Sequence, residues 1–215
     1  DILEKKTGKK ISIDGKAIKS ATDKINNGNI PYIVSAFIGE IGLSIGEVKV
    51  DDKSNEITAI PELLDLLDIE GATITIDAIG TQEDIVNKIV NKGGHYVLPV
   101  KDNQRILKKE NKSELDSYNN LLGNPEVFHK STVDKDHGRI EEREYYLTYN
   151  TSKITDKEKW KTVNAVAYMR VTRTEQDETT ITDNYYIIDN KIEIDKLIDA
   201  IRDHWNIECG LHWRL

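Results

Sequence analysis

One cysteine, one methionine and two phenylalanines in 215 residues leave several kinds of protein out. The lone thiol, Cys209, cannot close an internal disulfide, so a reducing compartment is expected. No apolar run approaches the ~20 residues a membrane-spanning helix needs, and no membrane partner is expected. The opening "DILEKKTGKK" carries no charged-then-apolar leader, which makes a cytoplasmic location the expectation. An excess of positive charge is missing too. Thirty Lys and Arg stand against 38 Asp and Glu, for a net charge of -8, and this excludes a protein that coats nucleic acid through bulk charge. Any contact with DNA has to come from local basic patches.

What is present is the texture of a globular αβ protein: 38% apolar and 32% charged residues, in a chain long enough to bury a real core. "ISID" at residues 11 to 14 alternates as a strand, and "IPYIVSAFIG" and "GLSIGEVKV" add a hairpin. "KSNEITAIPELLDLLDIEG" has Ile60, Leu63, Leu64 and Leu67 at helical spacing, with Pro61 tolerated in the first turn and Gly71 as a stop. "ATITID" reads as a fourth strand. "TQEDIVNKIVNKGG" reads as a helix that Thr81 and Asp84 start as a capping box, and "HYVLPV" as a fifth strand. Residues 101 to 125 are charged and helical. From Val127 to Asp189, alternating segments such as "REYYLTY" and "TTITDNYYII" indicate an inserted antiparallel sheet. The chain then closes on a helix with Ile194, Leu197, Ile198, Ile201 and Trp205 on its apolar face.

Three acids stand out. Asp14 and Asp77 each follow an I-x-I alternation in the same phase, so both carboxylates leave the face opposite those isoleucines. Asp14-Gly15 is also a favoured turn pair, and a plain reversal of the chain explains it as well. Asp77 has no such job, because Thr81 is better placed to cap the next helix. Seven residues beyond Ile201, Glu208 falls on the buried stripe of the last helix, where a carboxylate must be paired or bind a cation. His204, Glu208 and His212 at four-residue steps form a rival zinc or iron set. Two Asp and one Glu are the ligands expected of two hard divalent ions such as Mg²⁺, whose natural reaction is phosphodiester cleavage or transfer. Spacing alone does not decide between these readings.

The words "SIDGKAIK", "DDKSNEITAIPELLDLLDIEGATITIDAIGTQ", "GGHYVLPVKDNQ", "HGRIEERE" and "HWNIECGLHW" resemble insertion-sequence transposases of the H-repeat-associated group, a bacterial DDE family with an RNase H-like core. The resemblance runs from about residue 10 to the end. It implies an RNase H-like mixed five-stranded sheet with flanking helices in residues 1–104. A charged helical and β-rich insertion would occupy 105–190, and a C-terminal helix in 191–215 would complete the core. It further implies that Asp14, Asp77 and Glu208 are catalytic and hold Mg²⁺, with Mn²⁺ as a substitute. Lys16, Lys19, Lys101, Asn103, Gln104, Arg105, His137, Arg139 and His204 would touch DNA. The substrate would be double-stranded DNA, as element ends and target, and the protein would act as a homo-oligomer assembled on it at the bacterial nucleoid. The alternative is a truncated, inactive, transposase-derived fragment that binds DNA. Family chains have a further N-terminal segment and continue past the final "LHW", which favours that alternative; intact Asp14, Asp77 and Glu208 favour the enzyme.

Overall fold

The computed structural model describes residues 8–18, 32–50, 56–117, 122–136, 138–176 and 178–207. The chain divides into two compact units, one of residues 1–98 and 199–215 and the other of residues 99–198. No described helix is long and apolar enough to cross a membrane.

The first unit is a mixed sheet. Its strands are β1 (Lys10–Ala17), β2 (Tyr32–Ile38), β3 (Leu43–Val50), β4 (Thr73–Ile76) and β5 (His95–Val100), in the order β3-β2-β1-β4-β5. The hairpin joins β2 to β3 and β1 pairs antiparallel with β2, whereas β1 to β4 and β4 to β5 are parallel. Ile11, Ile13, Ile74 and Ile76 are all at most 2% exposed, as their alternation requires. Helices α1 (Glu56–Leu66) and α2 (Glu83–Asn91) bury Ile60, Leu63 and Leu64 and Ile85, Val86 and Ile89 respectively.

Four local expectations change. Asp14-Gly15 is no turn: both residues lie inside β1, opposite Ser35 and Val34, because the strand runs on to Ala17. Pro61 is the sixth residue of α1 rather than part of its first turn. Its missing N–H leaves one helical bond unmade, and packing of Ile60, Leu63 and Leu64 outweighs that loss. Thr81 is fully buried and stands one residue ahead of Gln82, the N-cap of α2. It is Asp77 that caps, accepting from the Ile79 N–H at 2.9 Å and so starting the short 3-10 turn Ala78–Gly80.

The second unit carries α3 (Arg105–Asp116) and the strands β6 (Phe128–Asp136), β7 (Arg139–Thr148), β8 (Ala165–Glu175) and β9 (Glu178–Ile188), each antiparallel to the next. The described residues therefore hold nine strands and four helices in all, where the resemblance implied a sheet of five. Four of the nine come from the alternating stretch after Val127. Directly opposed positions stack His129, Tyr146, Tyr168 and Tyr185 in one row, with neighbouring ring centroids 4.7 to 5.6 Å apart. Buried Glu141 is bracketed by Arg143 and Arg173.

Asp183 accepts from Arg170 at both oxygens and from the Tyr168 hydroxyl at 2.7 Å. The bond from Arg170 holds its carboxyl below the usual aspartate range, against a smaller opposing effect of burial. A depressed folded pKa means stability that is present above the unfolded value and is lost as pH falls through the folded one. Both side chains are more than a third exposed, at 37% and 43%, so the pair is worth only about 0.5–1 kcal/mol. Asp183→Asn is therefore expected to lower stability by about that much near pH 7. Denaturant titrations should show the gap to the unmodified protein closing as pH is lowered through and below the ordinary aspartate range.

The closing helix, α4 (Ile194–Ile207), belongs to the first unit from Asp199 onward. Leu197, Ile198, Ala200, Ile201 and Ile207 are buried. Trp205 is not on that face: it is 61% exposed, because the last turn presents Asp203 and His204 to the strands instead.

Candidate metal centre

The parallel register of β1 and β4 sets Ile13 opposite Ile76 and Ser12 opposite Thr75. One residue further along each strand stand Asp14 and Asp77. Neighbouring strands lie about 4.8 Å apart, so two acids in matching phase on adjacent parallel strands must lie side by side. The repeated words I-S-I-D and I-T-I-D thus encode a paired-carboxylate geometry. Each aspartate is oriented by local backbone: the Gly15 N–H donates to Asp14 Oδ1 at 2.8 Å, and the Ile79 N–H to Asp77 Oδ1 at 2.9 Å.

A third acid joins them. One carboxylate oxygen each of Asp14, Glu56 and Asp77 lie within 4.8 Å of one another. Glu56, the first residue of α1, is only 1% exposed. Its Oε2 accepts from the Tyr32 hydroxyl at 3.0 Å. Burial, followed by the charge of Glu56 and of the two aspartates, pushes the Tyr32 hydroxyl far above the ordinary phenol range, so it stays a donor. Three oxygen donors at this spacing suit a hard divalent ion, which binds carboxylates and keeps positions open for water or phosphate. The donor set therefore fits Mg²⁺ or Mn²⁺.

Glu56 carried no role in the sequence reading, although a signal was there. It stands four residues before Ile60 and seven before Leu63, on the buried stripe of α1. That is the same mark, an acid on an apolar face, that singles out Glu208.

Glu208 itself lies outside the described residues, as do Lys19, His137 and Cys209. The helix that leads to it is anchored beside the aspartates. His204 Nδ1 is 3.1 Å from Thr75 Oγ1, Thr75 Oγ1 is 3.1 Å from Ser12 Oγ, and Ser12 Oγ donates to the Asp203 carbonyl at 3.3 Å. Ser12 and Thr75 stand two residues before Asp14 and Asp77, so they project from the same face of the sheet. Lys16 stands two residues after Asp14 on β1 and shares that face. Lys101, Asn103 and Arg105 are exposed around the 3-10 turn Asp102–Gln104 and the start of α3 in the second unit, with Gln104 partly covered. Arg139 is half exposed at the start of β7, 4.0 Å from Glu141.

Residues 8–215 match a family described as the Transposase DDE domain. Among its relatives are two from Escherichia coli strain K12, each 40% identical over 212 residues: "H repeat-associated putative transposase YhhI" and "Putative protein YbfL". Each alignment takes in 95% of this chain and 55% of the relative. A third, "H repeat-associated putative transposase YbfD" of the same strain, is 45% identical over 135 residues, 62% of this chain and 52% of its own. The chain thus spans about half the length of the curated relatives it matches.

Proposed function

Because the chain belongs to the Transposase DDE domain family, we propose that it is the catalytic core of a metal-dependent enzyme that cleaves DNA strands at insertion-sequence ends and transfers them to target DNA. The observation that carries this reading is the meeting of the Asp14 and Asp77 carboxylates, distant in sequence, within 4.8 Å. The strand order β3-β2-β1-β4-β5, with the acids on the central pair β1 and β4, supports an RNase H-like core.

Asp14 and Asp77 would hold Mg²⁺, with Mn²⁺ able to replace it, and Glu208 is proposed as the third catalytic acid because α4 runs beside the strands that bear the first two. When bound, the metal would stabilise charge on the entering and leaving oxygens of the scissile phosphodiester. The chain's own residues supply the rest. Backbone N–H groups of Gly15 and Ile79 fix one oxygen of each aspartate. The contact of His204 with Thr75 ties α4 to β4. Lys16, beside Asp14, is proposed to contact a phosphate, as are Lys101, Asn103, Gln104, Arg105 and Arg139 from the second unit, and Lys19 and His137 from outside the described residues. His204, whose Nδ1 lies against Thr75 Oγ1, is proposed to contact a phosphate as well. Double-stranded DNA as substrate and a homo-oligomer assembled on that DNA belong to the same reading.

The test is nicking of a duplex carrying candidate element ends in Mg²⁺ or Mn²⁺. Metal-dependent nicks lost in Asp14→Asn support the enzyme, whereas DNA binding without nicking supports the inactive fragment.

A further inference from the structure

The geometry points to Glu56 as a fourth acid of the metal centre, holding the ion together with Asp14 and Asp77, with Tyr32 as its positioning residue. This rests on the metal-centre reading above and adds a residue to the three catalytic acids that reading names.

Gly15 supplies the space that this placement needs. Gly15 alternates onto the Ile11 and Ile13 face of β1, the face on which Tyr32 stands, two residues from Val34, the register partner of Gly15. A Cβ at Gly15 would fall 2.5 Å from the Tyr32 ring and hydroxyl and 2.9 Å from Glu56 Cδ. Only a residue without a side chain lets the tyrosine and the glutamate close over the strand at this point. Through that gap Glu56 brings an oxygen to within 4.8 Å of acids that leave the other face.

Beyond its bond to Tyr32, this buried carboxylate is brought up against two others, which is costly for like charges. The arrangement becomes favourable once a divalent cation sits among the three oxygens. Tyr32 donates to Oε2 and fixes the plane of the carboxylate.

Mn²⁺ titration of this chain, followed by electron paramagnetic resonance and by thermal unfolding, tests the assignment on the unmodified protein, Glu56→Gln, Tyr32→Phe and Asp77→Asn. Glu56→Gln keeps an acceptor for Tyr32 and removes one charge from the cluster. Its metal-free melting temperature is expected to equal or exceed that of the unmodified chain, while its Mn²⁺ affinity falls about 10- to 100-fold. Tyr32→Phe should weaken Mn²⁺ binding by about tenfold, through loss of orientation alone. If Glu56→Gln and Tyr32→Phe both bind Mn²⁺ within about twofold of the unmodified chain while Asp77→Asn does not bind it, Glu56 is a structural partner of Tyr32, and the enzyme reading survives without it. Should Glu56→Gln fail to fold, an unchanged affinity in Tyr32→Phe overturns the positioning role. If the unmodified chain takes up no Mn²⁺, the metal-centre reading falls and this assignment with it.

Discussion

Asp77→Asn is expected to cut metal-dependent nicking of an element-end duplex by about a thousandfold, with the fold and its melting temperature little changed. The asparagine keeps an oxygen for the Ile79 N–H, so the cap on the 3-10 turn, worth about 1 kcal/mol, survives. What it loses is the charge proposed to hold the metal. Metal stabilisation of the charge that develops at a phosphoryl centre is worth several kcal/mol, and each 1.4 kcal/mol is a factor of ten in rate. Asp77→Ala would remove charge and cap together and confuse the two effects. Single-turnover nicking under saturating DNA, with thermal unfolding alongside, separates them.

Gly15→Ala is expected to have the largest effect on stability, about 2–3 kcal/mol, from overpacking by a single methyl. Contacts of 2.5 Å to the Tyr32 ring and hydroxyl and 2.9 Å to Glu56 Cδ cannot persist, and the tyrosine is 7% exposed with little room to withdraw. Backbone strain is not the cause, since Gly15 sits in an ordinary strand. The displaced Tyr32 would carry Glu56 with it, so Mn²⁺ affinity should fall along with stability. Urea unfolding and metal titration on the same variant check both.

The site was legible in the sequence where it depends on phase. The matched I-x-I-D words place Asp14 and Asp77 on one face, and the parallel register brings a carboxylate oxygen of each within 4.8 Å of the other. The hairpin, the helices and the β-rich stretch after Val127 followed from alternation and helical spacing, with Pro61 misplaced because packing overrode propensity. Two further facts depend on approach in three dimensions, which a string of residues does not express. Asp14-Gly15 reads as a turn by local chemistry, yet pairing with β2 keeps it extended, and the glycine serves to admit Tyr32 and Glu56. Glu56 itself announces only that an acid lies on a buried stripe; which neighbours it meets depends on how α1 crosses the strands. The exposure of Trp205 has a similar origin, since the last turn of α4 is oriented by the polar contacts of Asp203 and His204 with Ser12 and Thr75.

Crystals of the chain soaked in Mn²⁺ and examined at the manganese absorption edge test the central claim most directly. An anomalous peak within about 2.5 Å of carboxylate oxygens from both Asp14 and Asp77 is the expected result. Manganese bound only elsewhere on the chain, with those two carboxylates turned away from each other, would contradict it.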